Sequence, residues 1–245
     1  MRIDSVVTWK WTPRAGYRST YAPDTVNTLF RMVRRHYPLP FRAICVTDDP
    51  AGIDADIEIV PDFGDFAALP SPHGGKNPSC YRRLRMFHPE IVSVLGERFV
   101  SLDLDMVITG DLRPLWHRPE PIVFWGDTNP LPRSHYNGSM VLMSAGCRPQ
   151  VWNAFDPQTS PAKALAAKAW GSDQGWISYV LGPGEAKWTK ADGVYSFRND
   201  IEKRGLMLPS NARLVAFHGR LDPWAVEALQ IPWVRQHYAR DAVAA

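Results

Sequence analysis

Apolar positions along this chain come in short runs separated by stretches of helical spacing. Ile3 to Trp9 is apolar and β-rich, which predicts a first strand. Asp24 to His36 carries Val26, Leu29, Phe30 and Val33 at helical intervals, and Pro38 ends that pattern. Phe41 to Thr47 predicts a second, buried strand that runs into Asp48-Asp49-Pro50, and Ile57 to Val60 a short third one. Phe63 to Asn77 is rich in Gly and Pro and predicts a loop. Tyr81 to Val94 predicts a helix kinked or divided at Pro89. Arg98 to Leu102 is a strand pattern leading straight into Asp103-Leu104-Asp105 and then Met106 to Ile108. Ile122 to Trp125, Tyr136 to Ser144 and Leu214 to Phe217 predict further strands, and Pro161 to Tyr179 helical stretches broken near Gly171.

Strands alternating with helices predict an α/β domain with a central, mostly parallel sheet flanked by helices. In such sheets ligands bind beyond the carboxyl ends of the strands. Thr8 to Lys10, Asp103 with Asp105, and His218 all stand where a predicted strand ends. The 245 residues show no linker, repeat or low-complexity stretch, so a single domain is expected, with 225–245 as a C-terminal extension.

Composition narrows the function classes. With 28 Lys and Arg against 25 Asp and Glu, the formal net charge is +3, which gives no reason to expect a nucleic-acid partner. Three scattered cysteines, Cys45, Cys80 and Cys147, suggest neither a disulfide framework nor a zinc site. The start Met1-Arg2-Ile3-Asp4 is no signal peptide, and no apolar run approaches the ~18–20 residues of a membrane span. A cytoplasmic location is expected, with the inner face of the membrane as one option. Several of the ten Trp (Trp9, Trp11, Trp125, Trp224) lie near the polar strand ends, where they suit core packing or stacking on a ligand ring.

The acid pair is the chemical centre of the pattern. On one strand, residues two apart share a face, so Asp103 and Asp105 would point together. Adjacent carboxylates repel unless a proton or a cation lies between them, and a hard divalent metal resolves the repulsion. FVSLDLDMVI is also similar to the first motif of haloacid-dehalogenase-like phosphatases, in which Asp103 would be the nucleophile. That class keeps the motif near its N-terminus and needs a second acid pair downstream. Here only the isolated acids Asp127, Asp156, Asp173 and Asp192 follow.

Five ordered segments resemble the nucleotide-sugar glycosyltransferases of the GT-A fold, closest to glycosyltransferase family 8 and its bacterial relatives. They are Tyr81-Arg-Arg-Leu84, Ser101 to Leu112, Tyr136 to Met143, Ser172 to Ile177, and Phe217 to Trp224. The resemblance implies a metal-dependent transferase using a nucleotide-diphosphate sugar, expected to be a UDP-sugar, with retention of configuration. It implies Asp103, Asp105 and His218 as ligands of Mn²⁺ or Mg²⁺, the imidazole favouring Mn²⁺. It implies contacts to the nucleotide-sugar from Thr8, Lys10, Arg83, Asp103, Asn137, Gly138, Gly219 and Arg220. Asp173 and Gln174 would lie beneath the reacting sugar, and Asp127 would reach a sugar hydroxyl or act as base in an inverting enzyme. Lys76 would assist at the diphosphate.

Ordinary roles compete at each position: exposure for Thr8 and Lys10, a surface ion pair for Arg83, a turn cap for Asn137, a helix cap for Asp173. The sequence departs from the family pattern at Asp222, where the family has a phosphate-contacting lysine before Pro223. A catalytically inactive nucleotide-sugar-binding protein of the same fold is therefore a further alternative. The acceptor would be a glycan, a lipid-linked sugar or a protein. Trp224, Trp233 and Tyr238, with Arg235 and His237, fit either a packed C-terminal helix or a peripheral membrane contact.

Overall fold

In the computed structural model, the structure describes residues 1–13, 15, 17, 21–70, 79–126 and 134–238. Ten strands are seen among them: β1 Ser5–Lys10, β2 Arg42–Thr47, β3 Glu58–Pro61, β4 Arg98–Leu102, β5 Met106–Ile108, β6 Ile122–Gly126, β7 Tyr136–Ser144, β8 Ala186–Trp188, β9 Val194–Ser196 and β10 Leu214–Ala216. The helices are α1 Pro23–His36, α2 Val92–Leu95, α3 Arg113–Trp116, α4 Gln150–Asn153, α5 Ser160–Ala166, α6 Asp173–Leu181, α7 Val226–Leu229 and α8 Pro232–Tyr238.

Seven strands form the central sheet in the order β3-β2-β1-β4-β7-β6-β8. The pairs β3/β2, β2/β1, β1/β4 and β6/β8 are parallel, while β7 runs antiparallel to both neighbours. The sheet is covered on both faces, which is why its strands read as unbroken apolar runs. Val6, Val100 and Leu142 enter one core, with α1, Trp116 and Trp233. Their chain neighbours Val7, Phe99 and Val141 enter the other, with Leu84, Phe87 and Trp176. A second, three-stranded sheet, β5-β10-β9, packs within the first of these cores.

Three expectations change. Tyr81 to Val94 is a 3₁₀ segment, Cys80–Phe87, then a 3₁₀ turn Pro89–Ile91 and the single-turn α2. Pro89 sits at the start of a new turn, where its missing N–H costs nothing. The acid pair is not on one strand: β4 ends at Leu102, Asp103 to Asp105 form the bend between the two sheets, and β5 begins at Met106. The C-terminal stretch, where described, packs inward. Trp233 and Tyr238 are buried, and the Trp233 indole donates to the Leu206 carbonyl at 2.9 Å. Neither ring is therefore available to rest on a bilayer. Among the described residues no helix is long and apolar enough to cross a membrane.

Candidate active site

At the carboxyl ends of β1 and β4 lies an open cleft with a cavity volume of about 120 Å³, lined by Trp9, Trp11, Tyr17, Tyr21, Cys80, Arg83, Asp103, Leu104 and Asp105. One end is aromatic. The rings of Trp9 and Trp11 are 6.1 Å apart. Trp11 is fixed by an indole hydrogen bond to Asp62 at 3.1 Å and by the Arg82 guanidinium 5.4 Å from its ring centre. Arg82 in turn pairs with Asp48 and Asp62. Burial works to raise the Asp48 carboxyl, but the Thr12 donors and Arg82 outweigh it and hold it below the ordinary carboxylate range. Tyr21 stands edge-on to Trp224 at 6.0 Å and hydrogen-bonds Tyr17. Burial, with Asp105 next, drives the Tyr21 phenol far above its usual range, so it stays protonated.

The other end is ionic. Arg83, 7% exposed, donates through Nε and Nη2 to Asp173 Oδ2, each at 2.8 Å. Its Nη1 reaches Asp103 Oδ1 and, at 3.3 Å, the Gly138 carbonyl. Burial alone would lower the Arg83 pKa, but Asp103 and Asp173 outweigh it, so the guanidinium is firmly charged. Burial raises the Asp103 carboxyl above its usual range, with Asp173 adding to this and Arg83 and Ser139 opposing it. Ser139 anchors Asp103 twice, accepting its backbone N–H at 2.9 Å and donating to its carboxylate. Gly138 permits the close approach: a Cβ there would stand 3.0 Å from Arg83 Nη2 and 3.4 Å from Asp173 Oδ2. Gln174, one residue beyond Asp173, accepts from the Gly138 N–H at 3.4 Å.

His218 follows β10, and the N–H of Phe217 bonds the Asp105 carbonyl at 2.8 Å, so the imidazole leaves the chain one residue beyond the acid bend. Its ring lies edge-on to Trp125 at 5.6 Å. Gly219 turns the chain there with φ +136°, a value side-chain-bearing residues rarely adopt. Two carboxylates and an imidazole on adjacent backbone are a suitable donor set for a divalent cation. Their side chains are not gathered, however. Among the described residues no three His, Cys, Asp or Glu side chains form a cluster that could hold a metal. Asp103 is turned to Arg83 instead.

The residues expected to contact the nucleoside at β1 have side chains engaged within the protein. Thr8 is wholly buried, and its hydroxyl donates to the Leu102 carbonyl at 2.9 Å, tying β1 to β4. Lys10 is also buried, with its ammonium on the Asp49 carbonyl at 2.8 Å and carboxylate at 3.3 Å. Side chains alternate along a strand, so the residue that opens into the cleft is Trp9 between them. Asn137 accepts from the Ser139 N–H at 2.8 Å, a local cap beside the irregular pairing of β6 and β7. Arg220 is exposed. The Asp222 carbonyl accepts from the Ala225 N–H at 3.0 Å in the turn carrying Trp224. Asp127 and Lys76 lie outside the described residues. Sequence reasoning missed Tyr17, Tyr21 and Cys80 as lining residues; the aromatics interleaved with Arg14 and Arg18 after β1 were the available signal.

No family model matches the chain, and no curated protein matches it in sequence. Solved structures do match. The galactosyltransferase LgtC, in complex with donor and acceptor sugar analogues, superposes with a TM-score of 0.66 at 13% identity over 96% of this chain and 95% of its own. The glycosyltransferase GlyE of Streptococcus pneumoniae gives 0.61 at 13% identity, over 97% of this chain and 61% of its own. Mouse xyloside xylosyltransferase 1 gives 0.52 at 10% identity, over 88% and 97%. The chain has the GT-A fold that these glycosyltransferases share.

Proposed function

We propose that this chain is a glycosyltransferase whose cleft binds a nucleotide-diphosphate sugar and passes the sugar to an acceptor hydroxyl. The observation that carries the reading is the pairing of an aromatic wall, Trp9 and Trp11, with an ionic end, Arg83, Asp103 and Asp105, in one cleft at the strand ends. A nucleotide-sugar has the same polarity: a flat base, then a charged diphosphate, then a sugar. LgtC was solved with donor and acceptor sugar analogues, and a glutamine-to-glutamate variant of it is described as an active-site mutant. In this chain Gln174 stands beside Gly138, next to the ionic end.

In this reading Trp11, braced by Arg82 and Asp62, stacks on the base, and Tyr17 and Tyr21 close the cleft around the nucleoside. Asp105, with Asp103 and His218, would hold Mn²⁺ or Mg²⁺, which supplies Lewis acidity at the diphosphate leaving group. Arg83 and Asp173 orient the floor beneath the sugar, and Gln174 faces the anomeric centre. Exposed Arg220 adds positive charge where the departing diphosphate forms, the task for which Asp222 is unsuited. In this reading the reaction is retaining, in keeping with Asp173, which is 1% exposed and held by Arg83, a poor position for a base activating an acceptor. The phosphatase alternative is disfavoured, because its nucleophile, Asp103, is held by Arg83 and Ser139.

The test is a donor screen. Several nucleotide-sugars are incubated with the chain and Mn²⁺, and released nucleoside diphosphate is measured. Release abolished by EDTA and reduced at least a hundredfold in Asp105→Ala is expected. Cleavage of simple phosphate esters with no nucleotide-sugar turnover would overturn the reading. Binding of a nucleotide-sugar without turnover would instead identify an inactive relative.

A further inference from the structure

Residues 202–208 hold two apolar side chains, Leu206 and Met207, out in water beside basic ones. We propose that this loop is a membrane-contact site: the Leu206-Met207 tip enters the headgroup layer of an anionic lipid bilayer while Lys203 and Arg204 meet the lipid phosphates. The contact does not depend on the reaction proposed above. It is not made by the aromatics Trp233 and Tyr238, which are buried.

Met207 is 76% exposed and Leu206 40%. The backbone imposes that exposure. Gly205 and Leu206 have φ of +77° and +62°, and the second is a conformation that side-chain-bearing residues rarely adopt. Such a turn persists only where its surroundings fix it. Here the Leu206 N–H donates to the Ile201 carbonyl at 3.2 Å, and the Leu206 carbonyl accepts from the Trp233 indole at 2.9 Å. Ile201 and Trp233 are buried in the first core, and Leu208, just past the tip, packs against it. The loop is therefore braced on both sides of two side chains that it leaves outside. Charge selects what meets them. Lys203 and Arg204, on the 3₁₀ turn Glu202–Arg204, are exposed, and among the described residues neither forms an ion pair. Arg198, one turn earlier, is exposed as well. Of the acids on this stretch, Asp200 is buried on the Lys190 ammonium at 2.6 Å, which leaves Glu202 alone against three basic groups. An apolar tip with a basic rim matches a surface that is anionic outside and apolar beneath. The position suits the site too. Strands β9 and β10 are parallel, and Phe197 stacks on Phe217 at 4.2 Å, so the loop leaves its sheet at the same strand ends as His218.

The experiment is co-sedimentation of the full chain with extruded vesicles, either phosphatidylcholine alone or phosphatidylcholine and phosphatidylglycerol in equal parts. Binding to the anionic vesicles is expected to be about tenfold or more tighter than to the neutral ones, and to weaken as salt screens the charges. Lys203→Gln with Arg204→Gln is expected to weaken it about tenfold or more, since each basic residue at an anionic surface contributes roughly fivefold. Leu206→Asn with Met207→Ser removes the apolar tip and is expected to cost about tenfold or more. Asparagine suits the left-handed backbone and neither position fills the core, so the melting temperature of that variant is expected to stay within about 3 °C of the parent's. Leu165→Ser removes an equally exposed apolar side chain on α5 and is expected to leave binding within about twofold, since it buries nothing on docking.

No binding to either vesicle, or equal binding to both, would overturn the proposal. So would charge or tip variants that bind as the parent does, or a loss in Leu165→Ser equal to that of the tip variant. Sedimentation velocity covers the rival occupant. A concentration-dependent dimer that the tip variant disperses, with no vesicle binding by the parent, would give the tip to a second copy of this chain and overturn the membrane contact.

Discussion

Replacing Gly138 by alanine sets a methyl group 3.0 Å from Arg83 Nη2 and 3.4 Å from Asp173 Oδ2, so the guanidinium must give by a few tenths of an ångström and its bonds to the two acids are disturbed. The expected result is a stability loss of about 1–3 kcal/mol in urea unfolding, the range for a disturbed buried polar network, together with at least tenfold slower sugar release. Unaltered turnover would mean that the Arg83 arrangement has no part in the reaction. At the other end of the cleft, Trp11→Ala is expected to weaken nucleotide-sugar binding by roughly five- to a hundredfold, since base–aromatic stacking is worth ~1–3 kcal/mol. A comparable loss for the isolated nucleoside would place the effect on the base. At this scale the sequence was informative about which residues matter and less so about what they touch. Asp103 and Asp105 stood out because apolar runs flank them, but their orientation depends on β4 ending at Leu102. Arg83 meets Asp103 from 20 residues away and Asp173 from 90, separations over which spacing carries no signal. Tyr17 and Tyr21 come from a stretch with no periodicity, where the interleaving of aromatics with Arg14 and Arg18 was the one local mark.

Among the elements, α1 and α8 meet through a histidine pair. The rings of His36 and His237 lie 6.1 Å apart, and the His237 carbonyl accepts from Arg35 at 3.1 Å. Burial lowers both histidines below their ordinary value of ~6.5, with His237 and Arg35 adding to the effect at His36 and Arg35 at His237. The sign follows directly. The unfolded chain takes up protons near pH 6.5 that the folded chain refuses, so stability is lost as pH falls through that value and levels off below the folded pKa values. Above about pH 7.5 the pair contributes no pH dependence. Urea midpoints measured between pH 8 and 5 check this: the parent is expected to lose stability over that range more steeply than His237→Gln, and parallel curves would rule the pair out. The long elements were legible because their burial is continuous, as in β1 and β4, or periodic, as in α1. The three-residue strands β8 and β9 were not. Each is held by pairing with a distant partner, β6 or β10, rather than by any pattern of its own. The Cys80–Phe87 segment read as a helix because its apolar spacing suits either a 3₁₀ or an α turn.

For the molecule as a whole, two cores share one sheet, and the C-terminal segment belongs to the first. Ala228, Trp233, Val234 and Tyr238 all lie in that core. Ending the chain after Trp224 is therefore expected to unfold it or to lower its stability by several kcal/mol, on the scale of ~3–5 kcal/mol for losing one buried Trp. A truncated chain with an unchanged urea midpoint would show the segment to be a true appendage. The α/β class and the strand-end location of the site followed from the alternation of patterns. The division into two sheets did not, because the bend at Asp103 to Asp105 joins strands whose apolar runs look continuous. That bend gathers Trp9, Arg83, Asp103 and Asp105 around one cleft, and the central claim is that the cleft holds a nucleotide-sugar. Calorimetric titration of UDP-sugars in the presence of Mn²⁺ tests it most directly, with the parent compared against Trp11→Ala and Asp105→Ala. The account predicts saturable one-to-one binding in the parent, at micromolar to millimolar strength, weakened by each substitution. No binding of any nucleotide-sugar, or equal binding by all three chains, would contradict it.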